Sequence, residues 1–455
     1  MNTPPPGYDP SATAIRGGDA PIVGVMGGGK RGSMGKRGKR GTKGNTKKRG
    51  AKKAEIVEEN RDDVVNVAKR FLDGGSSAPT SMVSVHAGTG ERSTVKDDPR
   101  TNNSTYNWLQ GIACHPNGTV FTSEKFFNCI RKIPINAAGA KTGITFCAGK
   151  QNPYYDASRG TMNRGSTGPP TDGAGVDAIF GSGPWALALN REGTVMYIND
   201  FGNNCIRRMN VANNNISTFK TNIIGLSGIC VDKNGTVYVT TGVNNTIVKI
   251  EENGAQTTLC GTYGQHGSTD GVGAAARFNN PTGIVCDKDS QYLFVSDEGN
   301  RCLRRITIAD GRVVSYIRNI DVSAGLAIDN DSAIYVAQPS RHTITMISPT
   351  GMQTIIAGAT NEAGGTPPDG AQPITGTTAR FNGPRWLCVG SVPGSPTNVT
   401  TLYVCDVNNC VVKKIQVLKP IVNAVTVCPT PPATQSIGAT GMIVATTPFP
   451  PIIAT

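Results

Sequence analysis

The chain has 455 residues and a formal charge of +13; twelve of those charges lie between residues 30 and 53, leaving about +1 for the other 431 residues. Basicity is therefore a local device, and no apolar run approaches the ~18 residues that a spanning helix needs. The N-terminal stretch MNTPPPGYDPSATAIRGGDAPIVGV lacks an apolar core behind a basic start, so the sequence reads as soluble, unexported and held in a reducing intracellular compartment.

Residues 1–53 form the first predicted segment, a Gly-rich basic arm. Its cations are Lys30, Arg31, Lys36, Arg37, Lys39, Arg40, Lys43, Lys47, Lys48, Arg49, Lys52 and Lys53, with Gly or Ser at seven of those 24 positions and no acid among them. Such a segment has too little apolar surface to offset its own ordering entropy, so alone it is expected to be disordered. A flexible polycation fits a polyanion, bound without sequence preference and released by salt. Nucleic acid is the first candidate, an acidic protein or an anionic membrane the second. GVMGGGKRGS (24 to 33) has a Gly run before Lys30 but neither the spacing nor the strand and helix of a phosphate-binding loop. The stretch YDPSATAIRGGDAPIVGVMGGG (8 to 29) with its following Gly-Lys-Arg run resembles arm segments at the start of structural proteins of large DNA viruses. That resemblance implies an assembly component, in a virion for instance.

Over 54–73, AEIVEENRDDVVNVAKRFL places Ile56, Val57, Val64, Val67, Ala68 and Leu72 near one stripe, acids early and Lys69 and Arg70 late. This predicts a short helix, either a spacer resting on the folded body or a docking element.

From 81 to 418 the chain repeats itself. Six stretches begin GIACHPNGTVF (111), WALALNREGTVMY (185), GICVDKNGTVY (228), GIVCDKDSQYLF (283), GLAIDNDSAIY (325) and WLCVGSVPGSP (386). Each reads as an apolar strand, an Asn/Asp/Gly turn, a second strand with an aromatic residue near its start, another turn and a third strand. A fourth strand follows in ITFCAG (144 to 149), TTLCG (257 to 261) and TIIAG (354 to 358). Three or four short strands repeated six times, with no helical period between them, predict an all-β six-bladed propeller. SMVSVHAGTG (81 to 90) looks like a fourth strand but precedes the first copy. We expect residues 82 to 87 to complete the sixth blade and so close the ring.

Three long loops carry related text, TDGAGVDAIF (171 to 180), TDGVGAAARF (269 to 278) and PDGAQPITGTTARF (368 to 381), and each is followed by a proline. With the strands after them, best seen in 270 to 306, they resemble the NHL repeat: an Asp-Gly-x-Gly loop, Ala-Arg-Phe, Pro-x-Gly-Ile, a Tyr-Val-x-Asp strand and an Ile-Arg-Lys-Ile strand. The resemblance implies a six-bladed NHL-type propeller. Some propellers of that kind bind RNA, and some of the wider group are lyases or hydrolases with His and acidic ligands around a central metal.

Basic pairs recur in the third strands: Arg131 and Lys132, Arg207 and Arg208, Arg304 and Arg305, Lys413 and Lys414. Strand alternation sends the two members to opposite faces. One member is expected to pair with the turn acids Asp200, Asp297 and Asp406; the competing reading makes the set a cationic rim for nucleic acid. Asp172, Asp270 and Asp369 suit caps of their Asp-Gly turns. Eleven of the twelve cysteines fall in predicted strands with no CxxC pair, which reads as reduced structural thiols. His86, His115, His266 and His342 sit in four different copies without carboxylates at ligand spacing, so no metal site, cofactor or catalytic residue is expected.

Residues 419–455 are Pro- and Thr-rich (PTPPATQSIGATGMIVATTPFPPIIAT), which predicts an extended arm whose apolar residues lie along a neighbouring surface. The leading expectation is a non-enzymatic structural or interaction protein, a propeller scaffold held among protein neighbours by its two arms. A nucleic-acid-binding NHL protein is the second reading and a propeller lyase or hydrolase the third.

Overall fold

In the computed structural model the residues described are 79–88, 106, 108–125, 127–135, 143–149, 155–156, 161–162, 169–181, 183–322, 325–364, 373–390 and 396–419. The basic arm, the 54–73 helix and the C-terminal arm beyond 419 lie outside them. Six antiparallel sheets of four or five strands account for almost all of the described chain. From first to fourth strand, the first blade is Leu109–Cys114, Val120–Glu124, Cys129–Ile133 and Thr145–Ala148, and the second is Pro184–Leu189, Val195–Asp200, Cys205–Asn210 and Ile216–Lys220. The third is Leu226–Val231, Val237–Thr241, Thr246–Ile250 and Gln256–Gly261, and the fourth is Pro281–Cys286, Tyr292–Asp297, Cys302–Thr307 and Arg312–Arg318. The fifth is Leu326–Ile328, Ile334–Gln338, Thr343–Ile347 and Gln353–Ala357.

The sixth blade takes its inner three strands from one end of the described chain, Pro384–Gly390, Val399–Asp406 and Val411–Leu418, and its fourth from the other, Thr80–Ala87. Thr80 lies opposite Leu418 and Ser84 opposite Lys414, in antiparallel register. The expected closure is thus made, two residues longer than the sequence indicated at its start. Without it Val411–Leu418 would present a free edge to solvent.

Both faces of a blade are buried against its neighbours, which is why whole second strands such as Val237–Thr241 lack an exposed residue. The core is accordingly split into six apolar layers, one per blade boundary. Leu187, Ile198 and Phe180 pack with Phe121 and Ile130 between blades 1 and 2. Tyr403, Val407 and Val412 pack with Leu109 and Ile112 between blades 6 and 1, so the ring is continuous.

Five of the six inner strands, all but that of blade 5, carry a bulge near their start, for example between Leu226 and Ile229, and the second strand satisfies backbone groups that the bulge orphans. Gly228 N donates to Thr240 Oγ1 (2.7 Å), whose hydroxyl donates on to Thr282 O in the next blade (2.6 Å). Gly111 N, Ser123 Oγ and Trp185 O repeat that relay between blades 1 and 2 at 2.7 and 2.8 Å. The small residue is required: a Cβ on Gly228 would lie 2.3 Å from Thr282 O.

No disulfide joins the described cysteines. Most are buried in strands, and burial pushes the Cys147 thiol up to about 11 and the Cys205 thiol up to about 12. They behave as small apolar residues.

Candidate functional site

The third-strand basic pairs divide as alternation requires. Arg131, Arg207, Arg304 and Lys413 are buried, while Lys132, Arg208, Arg305 and Lys414 are half-buried. The expected pairing with the turn acids is made by Arg207, Arg304 and Lys413, and the competing reading of all eight as a rim needs correction for the first four, because each is spent inside its blade. Arg304 donates to Asp297 Oδ2 (2.8 Å) and Asp270 Oδ1 (2.8 Å), and to the carbonyls of Arg277 (2.9 Å) and Thr269 (3.1 Å). Arg207 repeats the pattern with Asp200 (3.4 Å) and Asp172 (2.9 Å), Lys413 with Asp406 (2.7 Å), and Arg131 with Glu124 (3.1 Å). An aromatic ring lies beneath each: Phe278, Phe180, Phe381 and Tyr106, respectively, 4.5 to 5.6 Å from the cation.

The strand-final acids also lock the corners around them. Asp200, Asp297 and Asp406 each accept a backbone N–H from the loop before the inner strand, Gly181, Asn279 and Asn382, at 2.7 to 2.8 Å. Each also accepts from the Asn three residues on, Asn203, Asn300 or Asn409, at 2.7 to 2.8 Å. Burial raises all three carboxyls despite these bonds and the neighbouring cation. Asp172 and Asp270 correct a second expectation: rather than capping their own turns, they face the buried arginine and accept Thr218 Oγ1 (2.8 Å) and Ser315 Oγ (2.9 Å). Asp369 lies outside the described residues. Blades 3 and 5 replace the ion cluster with neutral partners, Thr241 with Thr246 (2.6 Å) and Gln338 with Thr343 and Thr345 (2.9 and 2.7 Å).

What the ring presents as a site lies at the mouth of the central channel, on the face built by the loops after second and fourth strands. The inner strands begin there. At the third position of that strand blades 1 to 4 carry Gly111, Ala186, Gly228 and Gly283, and the equivalent residue of blade 5, just before its strand, is Gly325, whereas blade 6 carries Trp386. The indole packs both on the layer between blades 6 and 1 and on the layer between blades 2 and 3, so it crosses the axis and floors the mouth. Above it stand half-buried Arg385 and Glu298. Burial raises the Glu298 carboxyl, Arg385 draws it back and Asp321 pushes it further up. Asn280 donates to Glu298 (3.0 Å), and Ser340 donates to Asp321. On the opposite wall Trp185 meets Phe201 edge to face at 4.6 Å, with Lys125 Nζ 5.2 Å from the Trp185 ring.

Sequence reasoning did not single out Glu298, Asp321, Arg385 or Trp386. Trp386 carried a readable signal, as the one large residue at a position otherwise Gly or Ala. The other three come from separate copies and are joined only by ring closure. The histidines stay apart: His86 packs on Tyr403 (4.5 Å), His115 Nδ1 accepts Asn117 N (3.0 Å) and His342 Nδ1 accepts Gly383 N (3.2 Å). Among the described residues, no group of three or more His, Cys, Asp or Glu is placed to share a metal ion. No helix among them is long and apolar enough to cross a membrane.

On the other face, the two ends of the described chain meet. Thr80 and Leu418 are paired, and Lys419 is clamped by Asp329 (2.5 Å) and Asp331 (2.6 Å) at the first turn of blade 5.

No protein-family model matches the sequence, and no curated protein matches it. Solved structures similar to it include an auxiliary nutrient binding protein from Bacteroides thetaiotaomicron, with 12% identity and a TM-score of 0.53 over 75% of this chain and 77% of that one. Also similar are a virginiamycin B lyase from Staphylococcus aureus, 16% identical with a TM-score of 0.42 over 71% of this chain and 98% of that one, and a streptogramin B lyase, 12% identical with a TM-score of 0.44 over 74% and 98%. At these identities the likeness is one of fold. The chain is a six-bladed β-propeller closed by its N-terminal strand.

Proposed function

We propose that this chain is a non-enzymatic interaction scaffold, a rigid propeller held in a larger intracellular assembly by its polycationic N-terminal arm and its extended C-terminal arm. A virus particle is one such assembly. The observation that carries this reading is the pairing of Thr80 with Leu418, with Lys419 clamped beside them. The described chain thus begins and ends on one face of the ring. The cation-rich segment would be the anchor to a polyanion, and the buried, protonated thiols suit a reducing compartment.

Nucleic-acid binding by the full chain and by a chain starting at Ala54, titrated over a salt series, tests this. Twelve arm cations set a ceiling of about −11 for the slope of log K against log salt on duplex DNA. A steep slope lost on truncation is the expected result. Unchanged binding after truncation would refute the anchoring role. It would favour a second reading, a nucleic-acid-binding ring, which rests on the half-buried Lys132, Arg208, Arg305 and Lys414 recurring on four blades.

A further inference from the structure

Four loops of blades 2 and 3, on the channel-mouth face, form a strip without charged residues of its own. They are 201–204 (FGNN), 221–225 (TNIIG), 242–245 (GVNN) and 262–265 (TYGQ), without a Lys, Arg, Asp or Glu among them. Hydrogen bonds stitch them in order: Ile223 N to Asn204 O (2.9 Å), Asn244 Nδ2 to Ile224 O (2.8 Å), Gly264 N to Asn244 O (3.0 Å). Four of the eight exposed large apolar residues among the described ones project from this strip: Phe201 (38% exposed), Ile224 (55%), Val243 (55%) and Tyr263 (69%). Trp185 against Phe201 continues it to the channel mouth. A rigid aromatic and aliphatic track framed by Asn side chains is the kind of surface on which Pro-rich segments dock, because such segments are already extended and lose little entropy on binding.

We propose that this strip receives the C-terminal arm of a second copy of the chain. Residues 420–455 contain seven prolines, no charged residue and the apolar groups Met442, Ile443, Val444, Phe449, Ile452 and Ile453. An uncharged segment gives up only amide hydration on such a surface, whereas a charged partner would give up its stronger hydration where the nearest charges, Lys125 and Arg277, stand only at the edges. A second copy is the better source than the same molecule. The chain leaves the ring at Lys419 on the opposite face, beside blades 5 and 6, so its own arm would have to wrap around the ring to reach blades 2 and 3. The contact joins unlike faces, and repeated it builds open chains of copies. This inference rests on the scaffold reading and names one of its partners.

The test uses two full-length variants, Ile224→Asp with Tyr263→Asp on the strip and Phe449→Asp with Ile452→Asp on the arm. All four changes are at exposed ring positions or beyond the ring, and circular dichroism checks folding. Analytical ultracentrifugation is expected to show concentration-dependent association of the unmodified chain, weakened at least about tenfold in either variant. An equimolar mixture of the two variants should form a discrete dimer, since one intact arm meets one intact strip. A monomeric unmodified chain, association untouched by either pair of changes, or no dimer in the mixture would each overturn the docking. Association through another face would leave the scaffold reading standing, and the salt series above tests that reading separately.

Discussion

Replacing Arg304 by Thr exchanges the buried cation of blade 4 for the residue that blade 5 carries at the same place, Thr345. Arg304 makes four hydrogen bonds, two of them to carboxylates, while fully buried. Its loss leaves Asp297 buried with only Asn300 and a backbone N–H to support its charge, and leaves Asp270 to its bond from Ser315. Breaking a buried pair from one side costs about 3–5 kcal/mol, mostly through the stranded charge rather than the lost bonds. The double variant Arg304→Thr, Asp297→Gln installs the Gln338 and Thr345 arrangement, which bonds at 2.7 Å without charge. It should recover about 2 kcal/mol of the single variant's loss, a coupling expected of residues in contact. Urea unfolding of the full chain, followed by tryptophan fluorescence and circular dichroism, measures both. A single variant costing less than about 1 kcal/mol, or a double variant no better than the single, would refute the stranded-charge argument.

Trp386→Gly, which restores the small residue of blades 1 to 5, should cost about 3–5 kcal/mol in the same assay because it empties the axis. Deleting residues 80–87 exposes the edge of Val411–Leu418 and should abolish cooperative unfolding and promote aggregation, seen by light scattering. In a Cys428→Ser background the buried thiols should react with a disulfide reagent at least about a hundredfold more slowly when folded than in urea, because the thiolate is the reactive form. Asp270 is opposed by its burial, but Ser315 and Arg304 outweigh it and hold the carboxyl below its ordinary 3.8. Its contribution is complete above 3.8 and lost as pH falls through the lower folded value. Asp297 and Asp406, raised by burial, have the opposite sign and contribute less as pH rises from 3.8 through their folded values. Thermal melts from about pH 5 to pH 2 should therefore decline less steeply for Asp270→Asn than for the unmodified chain.

The period of the sequence determined the blades. Strand alternation, Asn/Asp/Gly turns and the displaced fourth strand at 81 to 90 are local signals that need no knowledge of distant contacts. They also implied that one member of each basic pair turns inward, since alternation is a property of any strand. Which member turns inward was decided by the blade boundary: Arg207 and Arg304 meet Asp200 and Asp297 from the neighbouring strand, but Asp172 and Asp270 from a loop some 35 residues earlier, as the separations of 35 and 34 in the chain record. Of the channel mouth only Trp386 left a mark in the repeat, because Glu298, Asp321 and Arg385 come from blades 4 and 6 and the connection between blades 4 and 5, and repeat position alone does not say which side chains reach the axis. The uncharged strip has the same origin. Its loops are each an ordinary Asn-rich turn, and only the stacking of blades 2 and 3 lays Phe201, Ile224, Val243 and Tyr263 along one surface.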